Sequence, residues 1–237
     1  MSAAIVLDRV TVQRDWRRVI HGVSLTIMQG GWFGLIGANG SGKTSLLRAI
    51  GGRLAFEDGQ CCIHGTDMTS SRFGRAERIG FAPTVESLPT SLSPAEVFAF
   101  LSRDWQEHVA FLQKPLGLND LNSRRIGTFS AGMRQRVAVA CAFASGLDTM
   151  ILDEPFNWLD PVAAFDLRIA LREWVNPERT LITAVHDLAT LAMSCDRGAL
   201  LANGFLALTL DEKRLKDSRN NVLSFENEMI QVLRENY

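Results

Sequence analysis

The sequence predicts an α/β fold with a mainly parallel central sheet, an N-terminal antiparallel β-subdomain and an inserted helical subdomain. Three observations carry this. Apolar residues alternate near the N-terminus, at Ile5, Leu7, Val10 and Val12 and again at Val23, Leu25 and Ile27. Short apolar runs then alternate with helical patterns, the signature of strands that return to one parallel sheet through helices. After Pro83 the strand pattern gives way to a helical one until about residue 128.

Taken in order, the period-2 spacing of the first stretch predicts half-buried antiparallel strands. Residues 32–36 form a short apolar strand, and from Lys43 onward KTSLLRAIGGRL reads as a helix with Leu46, Leu47 and Ile50 on one face. Residues 61–63 and 79–82 are further short strands, and 94–101 and 105–112 are helix candidates of the inserted segment. Helix returns at 133–144, followed by a strongly apolar strand at 149–152, a helix at 162–174 and a strand at 180–185. In the charged tail, Val222, Phe225, Met229 and Val232 have the spacing of an amphipathic helix, whose mixed-charge polar face suits packing on its own domain. The expectation is one domain over 1–237: a catalytic core of 1–84 and 129–210, a helical subdomain of 85–128 and a C-terminal tail of 211–237.

Composition narrows the function. Of 237 residues, 46% are hydrophobic and 22% charged, an ordinary globular balance. Lys+Arg, 25, nearly match Asp+Glu, 26, so nucleic acid is not an expected partner. The longest purely apolar run, 137–144, ends at Ser145 and Gly146, whereas a membrane-spanning helix needs about 20 apolar residues. The chain is therefore not expected to be a channel itself. The start, MSAAIVLDRV, carries Asp8 and no basic leader, unlike a signal peptide. Cys61, Cys62, Cys141 and Cys195 show no C-x-x-C spacing and are read as reduced thiols rather than a zinc site.

Residues 37–44 read GANGSGKT, the pattern G-x-x-x-x-G-K-[ST], between an apolar strand and a helix. Glycines at 37, 40 and 42 let the backbone curl so that N–H groups converge on phosphate oxygens. The helix that follows adds its positive end. Lys43 is expected to reach the β- and γ-phosphates and Thr44 to ligate Mg²⁺. Ala38, Asn39, Ser41 and Ser45 complete the residues expected against the nucleotide. The fold expected is thus that of a P-loop NTPase. Downstream, MILDE places Asp153 and Glu154 at the end of a buried strand, where ligands of open α/β sheets bind. Asp153 suits Mg²⁺, and Glu154 suits a general base that polarises the attacking water. The competing reading is that Asp-Glu-Pro begins a helix.

Residues 129–133, FSAGM, precede a helix and lie shortly before the acidic strand. Here the sequence resembles the ABC ATPase family, whose pattern is Leu-Ser-Gly-Gly-Gln. Ser130 and Gly132 match it, while Phe129, Ala131 and Met133 depart from it. Residues 157–160, NWLD, look like the family's D-loop, and His186 in TAVHD looks like its switch histidine, which contacts the γ-phosphate. The resemblance covers nearly the whole chain. It implies a dimer in which Lys43 of one subunit and Ser130 and Gly132 of the other sandwich ATP. It also implies a peripheral ATP-hydrolysing subunit at the cytoplasmic face of the cell membrane, driving separate permease subunits, with export mildly favoured by GMRQR. A soluble ABC ATPase for assembly or remodelling is the alternative. A GTPase would carry Asn-Lys-x-Asp, and none occurs.

Two departures from the family stand out. Thr84 occupies the position of a glutamine that normally touches Mg²⁺ or the attacking water and links the site to the permease. The family's adenine-stacking aromatic falls, in strict register, on Arg14, with Trp16 two residues later. Trp16 is the preferred platform, against the reading of a tryptophan packed on its own domain.

Overall fold

The computed structural model of the protein describes residues 2–236. β1 (Ala3–Arg14) and β2 (Arg17–Met28) form a long hairpin, and β3 (Gly31–Ile36) leads through the glycine loop into α1 (Lys43–Ile50). β4 (Asp58–Ile63), β5 (Thr66–Asp67), α2 (Arg72–Arg78) and β6 (Gly80–Phe81) follow. The inserted segment holds α3 (Pro94–Leu101), α4 (Trp105–His108) and α5 (Leu118–Leu121). Then come α6 (Ala131–Ala144), β7 (Thr149–Asp153), α7 (Pro161–Trp174), β8 (Thr180–Val185), α8 (Leu188–Ser194), β9 (Arg197–Ala202) and β10 (Phe205–Leu210). The chain closes with α9 (Glu212–Ser218) and α10 (Val222–Glu235).

Two sheets result: β2-β1-β4-β5, antiparallel, and β10-β9-β3-β8-β7-β6, parallel except for β10. Ile5, Leu7 and Val10 pair with Ile27, Leu25 and Val23. Leu7 and Val10 are three residues apart, so strict alternation would turn Val10 outward. A register shift there, with Arg9 at φ 48, returns Val10 to the buried face. The parallel strands send alternate residues into two cores, one on each side of the sheet. Trp32, Ile36, Met150, Leu152, Leu181 and Val185 face α6–α10 and the inserted segment. Phe33, Leu35, Ile151, Ile182 and Ala184 face α1 and the antiparallel sheet.

Three details differ from expectation. The strand at 79–82 is confined to Gly80–Phe81, with one more ladder bond from Ala82 N to Ile151 O, because Pro83 has no N–H to continue it. The helix expected over 105–112 is a short α4 and a 3₁₀ turn at Ala110–Leu112. His108 Nδ1 lies 3.1 Å from the carbonyl of Ala144 at the end of α6, so a tertiary contact sets the geometry just where the helix breaks. The inserted segment keeps no separate core: Phe98, Trp105, Val109, Leu112 and Leu118 join the cluster under α6 and α7. Phe225 and Met229 of α10 join the same cluster, so the tail packs on its own domain.

Candidate active site

β3, β8 and β7 are neighbours and parallel, which brings their C-terminal ends to one edge. Ile36 pairs with Val185 and Asp153 with Ala184. The glycine loop after Ile36, the acidic pair at Asp153 and Glu154, and His186 after Val185 therefore share that edge.

In the loop, Gly40 and Gly42 have φ of 82 and 101, the left-handed region that suits glycine. Gly37 serves by close approach instead: a Cβ there would lie 2.2 Å from the carbonyl of Leu201. The N-cap of α1 is Gly42, which makes no side-chain cap bond, so no cap side chain competes for its first N–H groups. Lys43 is 4% exposed, and its Nζ donates to the carbonyls of Gly37 at 2.7 Å and Ala38 at 3.1 Å. Burial lowers its pKa, and Glu154 and Asp153 oppose that. A cavity of about 380 Å³ lies over the loop, lined by Arg14, Val19, Asn39, Gly40, Ser41, Gly42, Lys43, Thr44, Ser45 and Glu154. A smaller one, about 160 Å³, sits beside Asp153 and Glu154 and is bounded by Arg48, Thr84, Glu86, Gln135 and Trp158.

Asp153 ends β7, and α7 begins only at Pro161 with Asp160 as its cap, so the acidic pair does not start a helix. Burial pushes the Asp153 carboxyl up, while the Thr44 hydroxyl, Arg48 and Lys43 pull it part of the way back. Its Oδ1 is buried and has no hydrogen-bond partner. An orphaned carboxylate oxygen beside a threonine hydroxyl is a donor set suited to Mg²⁺, which takes one or two protein oxygens and completes its shell with water and phosphate. Among the described residues, no group of three or more His, Cys, Asp or Glu could hold a metal by itself.

Glu154 lies in the turn after β7 at φ 55, and Trp158 in the same turn is at φ 65. Each such non-glycine residue costs roughly 1–3 kcal/mol, so the surrounding contacts must hold the turn. His186 Nε2 is 2.7 Å from Glu154 Oε2, and Asn157 Nδ2 donates to the same oxygen at 2.8 Å. From α6, Gln135 Nε2 donates to the carbonyls of Glu154 and Pro155. Gly132 sits against the turn's backbone, with room for no side chain: a Cβ would lie 2.6 Å from the carbonyl of Trp158. The sequence reading places Asn157 only as the first residue of the D-loop-like stretch and gives Gln135 no role; the three-residue spacing from Glu154 to Asn157 is that of a turn contact.

Ser130 is the N-cap of α6, accepting a bond from Met133 N at 3.2 Å, and is exposed. Neither Ser130 nor Gly132 lines the two cavities. Trp16 is 94% exposed at the tip of the β1–β2 hairpin, so it is not packed on its own domain. Arg14, rather than Trp16, lines the cavity over the loop.

A strand–glycine loop–helix, a buried lysine and a strand-end acid pair define a phosphate-loop domain built to bind and hydrolyse a nucleotide. The family model described as ABC transporter matches residues 20–157. The chain is 30% identical over 223 residues to the uncharacterized ABC transporter ATP-binding protein YhcH of Bacillus subtilis (strain 168), covering 92% of this chain and 72% of that protein. It is 31% identical over 217 residues to the energy-coupling factor transporter ATP-binding protein EcfA1 of Streptococcus agalactiae serotype Ia, covering 86% and 77%. A solved ATP-binding subunit of an ABC transporter superposes with a TM-score of 0.83 at 23% identity, covering 97% of this chain and 99% of that one. The chain belongs to the ABC transporter ATP-binding family and is an ATPase of that class.

Proposed function

We propose that this protein is the ATP-hydrolysing subunit of a membrane transporter, acting at the cytoplasmic face of the membrane with permease subunits and a second ABC ATPase chain. The observation that carries hydrolysis is the Glu154–His186 pair set at one sheet edge with Lys43, Thr44 and Asp153, and the transporter part rests on relatives that are ATP-binding proteins of transporters. Among the described residues no helix is long and apolar enough to cross a membrane, and the reading assigns the translocation path to the permease subunits. The Met-containing stretch at 132–136 inclines the reading to export.

Lys43 and the N–H groups of the loop bind and orient the phosphates, and the hairpin bearing Trp16 and Arg14 supplies the adenine platform. Thr44 and Asp153 would hold Mg²⁺, which offsets phosphate charge when bound. Glu154 takes a proton from the attacking water. The water oxygen bonds to the γ-phosphorus as the bond to the bridging oxygen breaks, and that electron pair leaves with ADP. The α6 N-terminus of a second chain, at Ser130 and Gly132, closes the site from outside. Its approach is favoured while a γ-phosphate is present and is lost after hydrolysis. The inserted segment, 85–128, passes this motion to the permease.

The purified chain is expected to hydrolyse ATP in the presence of Mg²⁺. Glu154→Gln should keep ATP affinity and lose turnover by roughly 10²- to 10⁴-fold. Near-full turnover in Glu154→Gln would overturn the general-base assignment.

A further inference from the structure

Glu154 is the group on which hydrolysis turns, and its carboxylate is held asymmetrically. His186 Nε2 and Asn157 Nδ2 both meet Oε2, at 2.7 Å and 2.8 Å. An ionised carboxylate accepts only, so the face Asn157 presents to it is its amide N–H. We infer that Asn157 is a positioning residue for hydrolysis: it anchors Oε2 of Glu154 so that Oε1 is the oxygen that takes the proton from water. The inference rests on the proposed role of Glu154 as general base.

The two anchors are not equivalent. His186 stands on the loop after β8, is 40% exposed and is the group expected to turn toward the γ-phosphate. A ring nitrogen that turned to phosphate would be lost to Oε2. Asn157 cannot leave in the same way. It lies in the same turn as Glu154, with its own N–H donating to the carbonyl of Glu154 at 3.2 Å. That turn is fastened to α6 by Gln135 and by the close approach of Gly132 to the carbonyl of Trp158. Asn157 thus keeps the carboxylate oriented through the step in which His186 is engaged elsewhere. It also ties that orientation to α6, whose N-cap is Ser130.

The positioning role separates from a merely structural one by what it leaves alone. Asn157→Asp keeps the shape and removes the donor, and Asn157→Ala removes both. Each is expected to lower kcat roughly 10- to 100-fold, the range that misplacing a reacting group causes, with KM unchanged. Asn157→Gln, which retains an amide, should recover part of the loss. In a Glu154→Gln background, adding Asn157→Ala should change neither ATP affinity nor the residual rate, because the anchored oxygen is no longer a base. Thermal unfolding of each variant checks that it folds. Wild-type kcat in Asn157→Asp and Asn157→Ala would overturn the inference. So would a loss of ATP affinity or of residual rate when Asn157→Ala is added to Glu154→Gln, which would mark a structural defect of the loop. A wild-type chain without Mg²⁺-dependent ATPase activity would instead remove the proposed function on which the inference stands.

Discussion

The N-termini of α1 and α6, the two helix ends proposed to meet phosphate, are built differently. At α1 the cap is Gly42, without a side-chain bond, and Lys43 lies 4% exposed beneath a cavity of about 380 Å³. At α6 the cap is Ser130, whose oxygen already accepts from Met133 N, and the residue faces solvent away from both cavities. The first terminus is a finished cradle within one chain. The second has a satisfied cap on an exposed residue. Under the proposed function the outward terminus meets ATP held by a second chain, and the difference between the two ends is what that reading predicts.

Lys43→Ala breaks the inward half. Loss of a charge-assisted contact should lower ATP affinity of the isolated chain by roughly 10- to 100-fold, read by titration with a fluorescent nucleotide. Ser130→Ala should leave that affinity unchanged and cost about 1 kcal/mol of stability through the lost cap. Equal affinity losses from both would erase the distinction.

Asp153→Asn sharpens the picture of the inward half. The carboxyl is raised by burial, so the folded state binds this proton more readily than the unfolded one. Its stabilising contribution is present below the ordinary carboxylate range and is lost as pH rises through the raised value. Without Mg²⁺, Asp153→Asn should therefore raise Tm at neutral pH, by about 2–4 °C for each kcal/mol relieved, and the gain should vanish in acid. With Mg²⁺ and ATP the same variant should lose turnover. A Tm gain independent of pH would contradict the assignment of the raised group.

Smaller effects come from the margins of the site. Trp16→Ala should weaken ATP binding by about 1–3 kcal/mol, the range of base–aromatic stacking, and the same measurement on Arg14→Ala shows which of the two forms the platform. Thr84→Gln, at the wall of the small cavity beside Glu154, should raise or retime hydrolysis without changing ATP affinity. An unchanged rate and unchanged transport would remove any importance from position 84.

Where a residue's chemistry coincides with a periodic element, the sequence is readable. Strand 180–185 is legible because it is buried on both faces and is mostly apolar, with Leu181, Ile182, Ala184 and Val185 interrupted only by threonine, a good strand former. The glycine loop is legible because its residue types have few other uses. α2 was not legible: RFGRAER has no apolar stripe, and its place is set by Arg75, fully buried and bonded to the carbonyls of Ala49 and Leu54. β9 and β10 were missed because recognising them requires knowing that β3 has an open edge. In the site, Lys43, Asp153, Glu154 and His186 follow from pattern and order. The anchoring of Glu154 by Asn157 depends on a left-handed turn that glycine would mark in a sequence and that Glu154 and Trp158 conceal.

The central claim, that this chain powers a transporter and is completed by a second ATPase chain, is tested most directly by purifying tagged Glu154→Gln protein from detergent-solubilised native membranes with ATP present and identifying what accompanies it by mass spectrometry. The account predicts a multi-span membrane protein together with a second ABC ATPase chain, either another copy of this one or a relative. Recovery of soluble partners alone would contradict it and point to an ATPase that drives assembly or remodelling.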